Sequence, residues 1–176
     1  GVCSCLSQPI QGANGDAIGT FAIYHRERAV PTADEMRLIE QFAHIASIAI
    51  ERELANQLIW KQANFDSLTG LPNRNLMLDH LQLAIKAADR ESDKVAVIFL
   101  DLDNFKDIND TLGHDIGDKL LIECARRIKQ CLRSDDTVYR LGGDEFVIIL
   151  NGIKGLSSIE LVVQKLLGEI VKPYSL

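Results

Sequence analysis

Residues Thr137-Val-Tyr-Arg-Leu-Gly-Gly-Asp-Glu-Phe-Val-Ile-Ile-Leu150 form two apolar segments around a short polar turn. The two segments, Thr137–Leu141 and Phe146–Leu150, are rich in β-branched and aromatic residues, which favour strands. The turn Gly142-Gly-Asp-Glu145 contains two glycines, which tolerate positive φ and let a ligand approach the backbone closely. This stretch therefore predicts a β-hairpin whose turn is a candidate binding element.

The segments around this hairpin alternate between helix and strand patterns. Asn73 is placed to cap a helix, and the continuous apolar run Val95–Leu100 predicts a strand buried on both faces. A further helix is expected before the hairpin, and another between Ile159 and Ile170. The order from residue 73 onward, α-β-α-β-β-α, predicts an α+β fold, with helices on one side of the sheet.

The N-terminal third predicts a second hairpin followed by a long helix. Strand patterns over Cys5–Ile10 and Ala17–His25 flank a turn, and Thr32 with Glu35 forms a capping-box pattern. A helix over 33–60 would be about 42 Å long at about 1.5 Å per residue. Such a helix suits either a paired signalling helix between two globular parts or a helix packed on its own domain's sheet.

Composition excludes several classes of protein. The chain has 176 residues, of which 47% are hydrophobic and 25% charged, the balance of a folded globular protein of one domain or two small ones. The net charge of −6 argues against a generic nucleic-acid binder and against docking on anionic lipid. We therefore expect no nucleic-acid partner.

Cysteine usage and hydropathy bear on localisation. The four cysteines form no Cys-x-x-Cys pair, which favours buried, reduced thiols in a cytoplasmic protein over zinc ligands. The longest apolar stretch, Phe42–Ile50, is shorter than the roughly 20 residues of a membrane span. The chain begins without Met or a signal peptide, so we expect a piece of a longer protein.

Acidic residues at two places suggest a metal site. Asp101-Leu-Asp103 ends the predicted strand, and Asp144 with Glu145 lies in the turn. If the strands are neighbours, Asp101 and Asp144 meet at one edge as a two-carboxylate site for a hard cation. The alternatives are helix capping by Asp103 and a solvated acidic turn.

The polar segment 109–118 is a candidate base-recognition element. Asn and Asp side chains together can read a guanine edge, since a carboxylate accepts from its N1–H and N2–H groups; the alternative is an ordinary capped turn. The sequence contains no Walker A loop and no G-x-G-x-x-G.

Four motifs in order make residues 64–176 resemble the GGDEF domain of the diguanylate cyclase family. They are Asp66-Ser-Leu-Thr-Gly-Leu-Pro-Asn-Arg74, Phe99-Leu-Asp-Leu-Asp-Asn-Phe-Lys106, Ile108-Asn-Asp-Thr-Leu-Gly-His114 with Gly117-Asp118, and Arg140-Leu-Gly-Gly-Asp-Glu-Phe146. Residues 1–53 resemble the C-terminal part of a GAF sensor domain. The resemblance implies a partial GAF hairpin over 1–53, a helical linker over 54–65, and over 66–176 a C-terminally truncated GGDEF domain with a palm-like, ferredoxin-like antiparallel sheet.

The family resemblance implies a reaction and a role for each site residue. Two GTP molecules become cyclic di-GMP and two pyrophosphates across a homodimer, with Mg²⁺ or Mn²⁺ as cofactor. Asp101, the Leu102 carbonyl, Asp144 and Glu145 would hold the metal, and Asp144 and Glu145 would be catalytic. The implied substrate-binding residues are Asn109 and Asp118 for guanine, Phe105 and Lys106 beside the phosphates, and Gly142 and Gly143 in the turn.

Regulation and rival functions also follow from the resemblance. Arg133 and Asp136 fit the R-x-x-D site at which cyclic di-GMP inhibits its own synthesis. The family's domain continues past residue 176 with a strand pair and a helix, so we expect this fragment to be weakly active or inactive. The alternative functions are a non-catalytic GTP or cyclic di-GMP binding module, controlling an EAL phosphodiesterase domain, and a dimerising scaffold.

Overall fold

The computed structural model describes residues 3–28 and 30–175. The chain divides into two compact units, Gly1–Trp60 and Lys61–Leu176, and each is described by itself. Within the described residues, no helix has both the length and the apolar character that a membrane crossing requires.

The first unit packs a hairpin against a helix. Strands β1 (Ser4–Gln11) and β2 (Ala17–His25) pair antiparallel, as predicted. Helix α1 (Ala33–Asn64) buries Ile39, Ala43 and Ser47, and the Ser47 hydroxyl donates to the Gln11 carbonyl at 2.5 Å.

The start of α1 confirms the capping box. The Thr32 amide donates to the Glu35 carboxylate at 2.7 Å, and the Glu35 amide donates to Thr32 Oγ1 at 3.2 Å. The helix runs four residues beyond the predicted end at 60, to Asn64, since no Gly or Pro interrupts it.

The second unit is an antiparallel sheet with helices, which confirms the α+β fold class. Its three strands lie in the order β3-β5-β4. Its elements are α2 (Arg74–Glu91), β3 (Lys94–Leu100), α3 (Phe105–Leu112), α4 (His114–Cys131), β4 (Thr137–Gly142), β5 (Glu145–Ile153) and α5 (Leu156–Ile170). Asn73 caps α2 as predicted, because its side chain accepts from the amides of Asn75 and Leu76.

Helices cover both faces of this sheet, so the prediction of helices on one side was wrong. Met77 of α2 packs with Tyr139, Val147 and Ile149 on one face. Helices α4 and α5 cover the opposite face, where the core includes Leu121, Cys124, Ile128, Val138, Phe146, Ile148, Leu150 and Leu166. The physical reason lies in β5, whose residues 146–150 are all apolar, so both of its faces need a cover.

Strand β3 is not the doubly buried strand that its apolar run predicts. It lies at one edge of the sheet, and Val97 and Phe99 are 38% and 74% exposed. The central strand is β5, in which Phe146–Leu150 are buried throughout. An apolar run shows that a strand forms, but it does not show how many neighbours the strand has.

Residues 105–131 form two helices instead of a polar turn followed by one helix. Gly113, with φ of 88°, separates α3 from α4, so Asn109 lies on a helix. The prediction that the four cysteines are buried is confirmed for Cys124 and Cys131 and is wrong for Cys3 and Cys5, which are exposed.

Candidate active site

The end of β3 meets the turn between β4 and β5. Leu100 of β3 pairs with Phe146 of β5, so Asp101, the next residue along, lies level with Glu145 in the antiparallel register. Asp101 and the turn Gly142–Glu145 therefore occupy the same end of the sheet, as the sequence predicts.

The turn itself has a backbone that favours glycine. Gly142 and Gly143 adopt φ of 144° and 53°, values that side-chain-bearing residues rarely tolerate. The pairing of β4 and β5 shifts register between Arg140 and Gly142, which turns the chain tightly and leaves Asp144 half-buried and Glu145 exposed.

A buried arginine fastens this turn to the segment that follows α1. Arg140 is 8% exposed; its Nε and Nη2 donate to the Gly143 carbonyl at 3.0 and 2.7 Å, and its Nη1 donates to Asp66 Oδ1 at 2.8 Å. The Thr69 amide donates to the same Asp66 oxygen at 2.8 Å. Arg140 and Asp66 both lie within motifs of the sequence, but the motifs did not predict a role for their side chains.

These contacts hold Asp66 ionised. Burial raises the pKa of Asp66, but the hydrogen bonds from Thr69 and Arg140 outweigh burial and lower the pKa below its ordinary value. The ion pair is therefore charged on both sides near neutral pH.

The carboxylates at this sheet end have no such partners. Across residues 3–28 and 30–175, no hydrogen bond or ion pair engages the side chains of Asp101, Asp144 or Glu145. Carboxylates that lie at one end of a sheet without protein partners are available as ligands for a cation.

The donor set fits a hard divalent cation. Magnesium takes carboxylate and carbonyl oxygens and is usually bound by one or two carboxylates together with substrate phosphates. The Leu102 carbonyl accepts from the Phe105 amide at 3.2 Å and keeps its second lone pair. The described part of the chain contains no group of three or more His, Cys, Asp or Glu side chains close enough to form a protein-only metal cage, so a cation here needs oxygens from a ligand.

Helix α3 begins beside these carboxylates. Its N-cap, Asn104, has φ of 60° and makes no side-chain capping bond. The Phe105 and Ile108 amides donate to the carbonyls of Leu102 and Asn104, so the first-turn amides left for other acceptors are those of Lys106 and Asp107. Phe105 packs against the core, and Lys106 is exposed. A helix N-terminus with a nearby lysine is suited to bind phosphate.

Asn109 lies next to the start of α4, across the junction of α3 and α4. Its side chain lies directly against Gly117, the residue before Asp118. Asn109 is half-buried and Asp118 is exposed, so both candidate guanine-binding residues lie at this junction.

Arg133 and Asp136, the predicted inhibition site, lie at the other end of β4 from the Gly-Gly turn. They precede β4, whose six residues separate them from the Gly-Gly turn by about 20 Å at about 3.3 Å per residue. Both line a groove of about 480 Å³ together with Leu71 and Lys129. The Asp136 carboxylate accepts from the amides of Arg133 and Asn151 at 3.4 and 3.2 Å, so it also holds the α4–β4 turn.

Comparison with known proteins shows which family this chain resembles. The family described as "Diguanylate cyclase, GGDEF domain" matches residues 63–176. The bifunctional diguanylate cyclase/cyclic di-GMP phosphodiesterase MucR of Pseudomonas aeruginosa is 42% identical over 134 residues, 76% of this chain and 19% of MucR. The diguanylate cyclase DgcP of Escherichia coli is 33% identical over 179 residues, 96% of this chain and 52% of DgcP.

A solved structure shows the same fold. The coiled coil and GGDEF domain of DgcB from Caulobacter crescentus, in complex with c-di-GMP, matches with a TM-score of 0.65 at 28% identity, covering 77% of this chain and 68% of that one. The chain spans about half the length of DgcP and a fifth of MucR.

Proposed function

Because the chain belongs to the GGDEF diguanylate cyclase family, we propose that it condenses two GTP molecules into cyclic di-GMP and releases two pyrophosphates. The observation that carries the proposal is the meeting of Asp101 with the turn Gly142–Glu145 at one sheet end, where the carboxylates have no partner among the described residues.

The acidic sheet end is the proposed reaction centre. Asp101, the Leu102 carbonyl, Asp144 and Glu145 would hold Mg²⁺ or Mn²⁺, which when bound neutralises triphosphate charge and polarises the α-phosphate. The Asp144 carboxylate accepts the proton of the attacking 3′-hydroxyl. The 3′-oxygen then bonds to the α-phosphorus of the partner's GTP as the bond to the bridging oxygen breaks and pyrophosphate leaves.

Two further elements hold the nucleotide in this proposal. The first amides of α3, with Phe105 and Lys106 beside them, bind phosphate oxygens. Asn109 and Asp118 bind the guanine, because a carboxamide and a carboxylate together match its donors and acceptors. Gly142 and Gly143 let the phosphates approach the turn backbone closely.

The reaction needs two copies of the site, since each GTP supplies one hydroxyl and one α-phosphate. We assign pairing to α1, whose residues after Glu53 include the exposed apolar side chains of Leu54, Leu58 and Ile59. The match to a structure that includes a coiled coil supports this assignment. We assign residues 1–53 to the end of a cytoplasmic GAF-like sensor domain; the similarity to DgcP extends into this region.

A second candidate is a non-catalytic module that binds GTP or cyclic di-GMP and controls a phosphodiesterase domain. It is favoured by the groove beside Arg133, which is suited to a phosphate or guanine of cyclic di-GMP.

The decisive experiment incubates the protein with GTP and Mg²⁺ and measures cyclic di-GMP by mass spectrometry. Even a low yield of product from the wild type would support the cyclase, provided that Asp144→Ala gives none and that Asp89→Ala, which changes an exposed acid on α2, gives as much as the wild type. Bound GTP without product would favour the regulatory module. Product from Asp144→Ala would refute the assignment of the reaction centre.

A further inference from the structure

We propose that Gly117 is a positioning residue for guanine recognition: its missing side chain leaves the space in which the Asn109 carboxamide lies. This inference rests on the proposed function, because it assumes that Asn109 binds the base. It adds a residue that contacts no nucleotide but determines where a nucleotide-binding group can be.

The backbone at Gly117 does not itself require glycine. Gly117 lies inside α4, is buried, and has ordinary helical dihedral angles. Glycine is a poorer helix former than alanine, so helix propensity alone favours alanine at this position. The reason for glycine must therefore lie in what surrounds it.

The surroundings leave no space for a side chain. A Cβ atom at position 117 would overlap Oδ1 of Asn109, and it would lie 3.0 Å from Asn109 Cγ and 3.3 Å from Cζ of Phe105. Phe105 and Asn109 are four residues apart and so share one face of α3. Phe105 packs against the core, so Asn109, which is half-buried, is the side chain that must move.

The position of Asn109 matters because its carboxamide is otherwise unused. Among the described residues, no hydrogen bond engages its side chain. Contact with Gly117 sets it beside Asp118 on the next helix, where the two side chains can bind one base. A methyl group at 117 turns the carboxamide away and removes its hydrogen bonds to guanine, while Asp118 and the phosphate-binding elements stay in place.

The chain provides a matched control for this substitution. Gly168 also lies within a helix, α5, and a Cβ atom there meets nothing within 4 Å. Gly168→Ala therefore makes the same chemical change without the overlap, so any effect specific to Gly117→Ala comes from the space around it.

The test measures binding of the magnesium complexes of 3′-deoxy-GTP and 3′-deoxy-ATP, which cannot cyclise, to the full chain by calorimetry. We expect Gly117→Ala to weaken 3′-deoxy-GTP about tenfold, the effect of one hydrogen bond, without changing 3′-deoxy-ATP. Gly168→Ala should leave both unchanged. In an Asn109→Ala background, Gly117→Ala should have no further effect, because the group that it displaces is gone.

Each other outcome counts for or against the inference. Equal weakening of both nucleotides, wild-type affinity in Gly117→Ala, or an undiminished effect in the Asn109→Ala background would overturn it. If Gly117→Ala unfolds but the double variant folds, the overlap with Asn109 is established; if both unfold, the inference fails. A wild type that does not prefer 3′-deoxy-GTP would instead refute the proposed guanine site itself.

Discussion

Replacing Arg140 by alanine should destabilise the second unit and loosen the Gly-Gly turn. The Arg140 side chain is 9% exposed and that of Asp66 is 19% exposed, so water replaces little of what is lost. The substitution removes two hydrogen bonds to the Gly143 carbonyl and one to Asp66. It also leaves the Asp66 carboxylate without its cationic partner.

The magnitude follows from these contacts. Breaking a buried ion pair by removing one partner costs about 3–5 kcal/mol, so Arg140→Ala should lower the free energy of unfolding by about that amount. Asp66→Asn keeps an oxygen that can accept from Thr69 and Arg140 but loses the charge. We expect Asp66→Asn to lower the free energy of unfolding by about 1–3 kcal/mol, the range for one hydrogen bond in which a charged group is lost.

The pH dependence has a definite sign. The pKa of Asp66 is lower in the folded state than its ordinary value, which is about 3.9 in the unfolded chain. Its stabilising contribution is therefore fully present above about pH 4 and is lost as pH falls through the folded pKa. Asp66→Asn should remove this part of the acid sensitivity, so the stability difference between wild type and variant should shrink below about pH 4.

The assay is urea denaturation with amide hydrogen exchange of β5, whose residues Phe146–Leu150 are fully buried and so report on the sheet. Arg126→Ala is the control, because the Arg126–Glu123 pair lies on the exposed surface of α4 and such pairs contribute little. An Arg140→Ala protein as stable as the Arg126→Ala protein would refute the reasoning. So would a wild type and an Asp66→Asn protein whose stability difference is independent of pH.

Four other substitutions give separate tests. Asp144→Asn should abolish cyclic di-GMP synthesis without lowering the urea midpoint, because the Asp144 carboxylate makes no hydrogen bond to any residue that the structure describes; a lower midpoint would contradict this. Asn73→Ala should lower the free energy of unfolding by about 1 kcal/mol, since its side chain caps α2; an unchanged value in thermal denaturation would show that the cap is dispensable. Arg133→Ala should relieve inhibition by cyclic di-GMP without loss of stability, whereas Asp136→Ala should also destabilise, because the Asp136 carboxylate accepts from the Arg133 amide in the α4–β4 turn and from the Asn151 amide in β5. Product-inhibition curves and thermal unfolding separate the two, and unchanged inhibition in Arg133→Ala would refute its role.

Local sequence patterns predicted the elements well because their causes are local. The Thr32–Glu35 capping box, the Asn73 cap and the turn Gly142–Glu145 depend on residues a few positions apart. The meeting of Asp101 with that turn was also predictable, because it needs only that two strands be neighbours and antiparallel. The roles of these residues in catalysis stay a prediction.

Arrangement in space was harder to predict because its causes are distant in sequence. Val95–Leu100 predicts a strand buried on both faces, yet β3 lies at an edge of the sheet with Val97 and Phe99 exposed, since strand order depends on how separate elements pack. The Arg140–Asp66 pair joins residues 74 positions apart, and no spacing rule connects them. Asn109 lies on helix α3, which ends at Leu112, just before Gly113. The sequence did not predict this helix because its many polar residues resemble those of a loop.

The residues around the candidate site divide into those that hold its shape and those that lack internal partners. Arg140 and Asp66 satisfy each other and the turn backbone, so their contacts exist before any ligand binds. Within residues 3–28 and 30–175, the side chains of Asp101, Asp144 and Asn109 make no hydrogen bonds to the protein, so they are available to a ligand. A cation and a nucleotide bound there would stabilise the folded state by mass action, because the unfolded chain does not assemble these groups. Arg140 and Asp66 therefore hold the turn that carries Asp144 in place before any ligand binds.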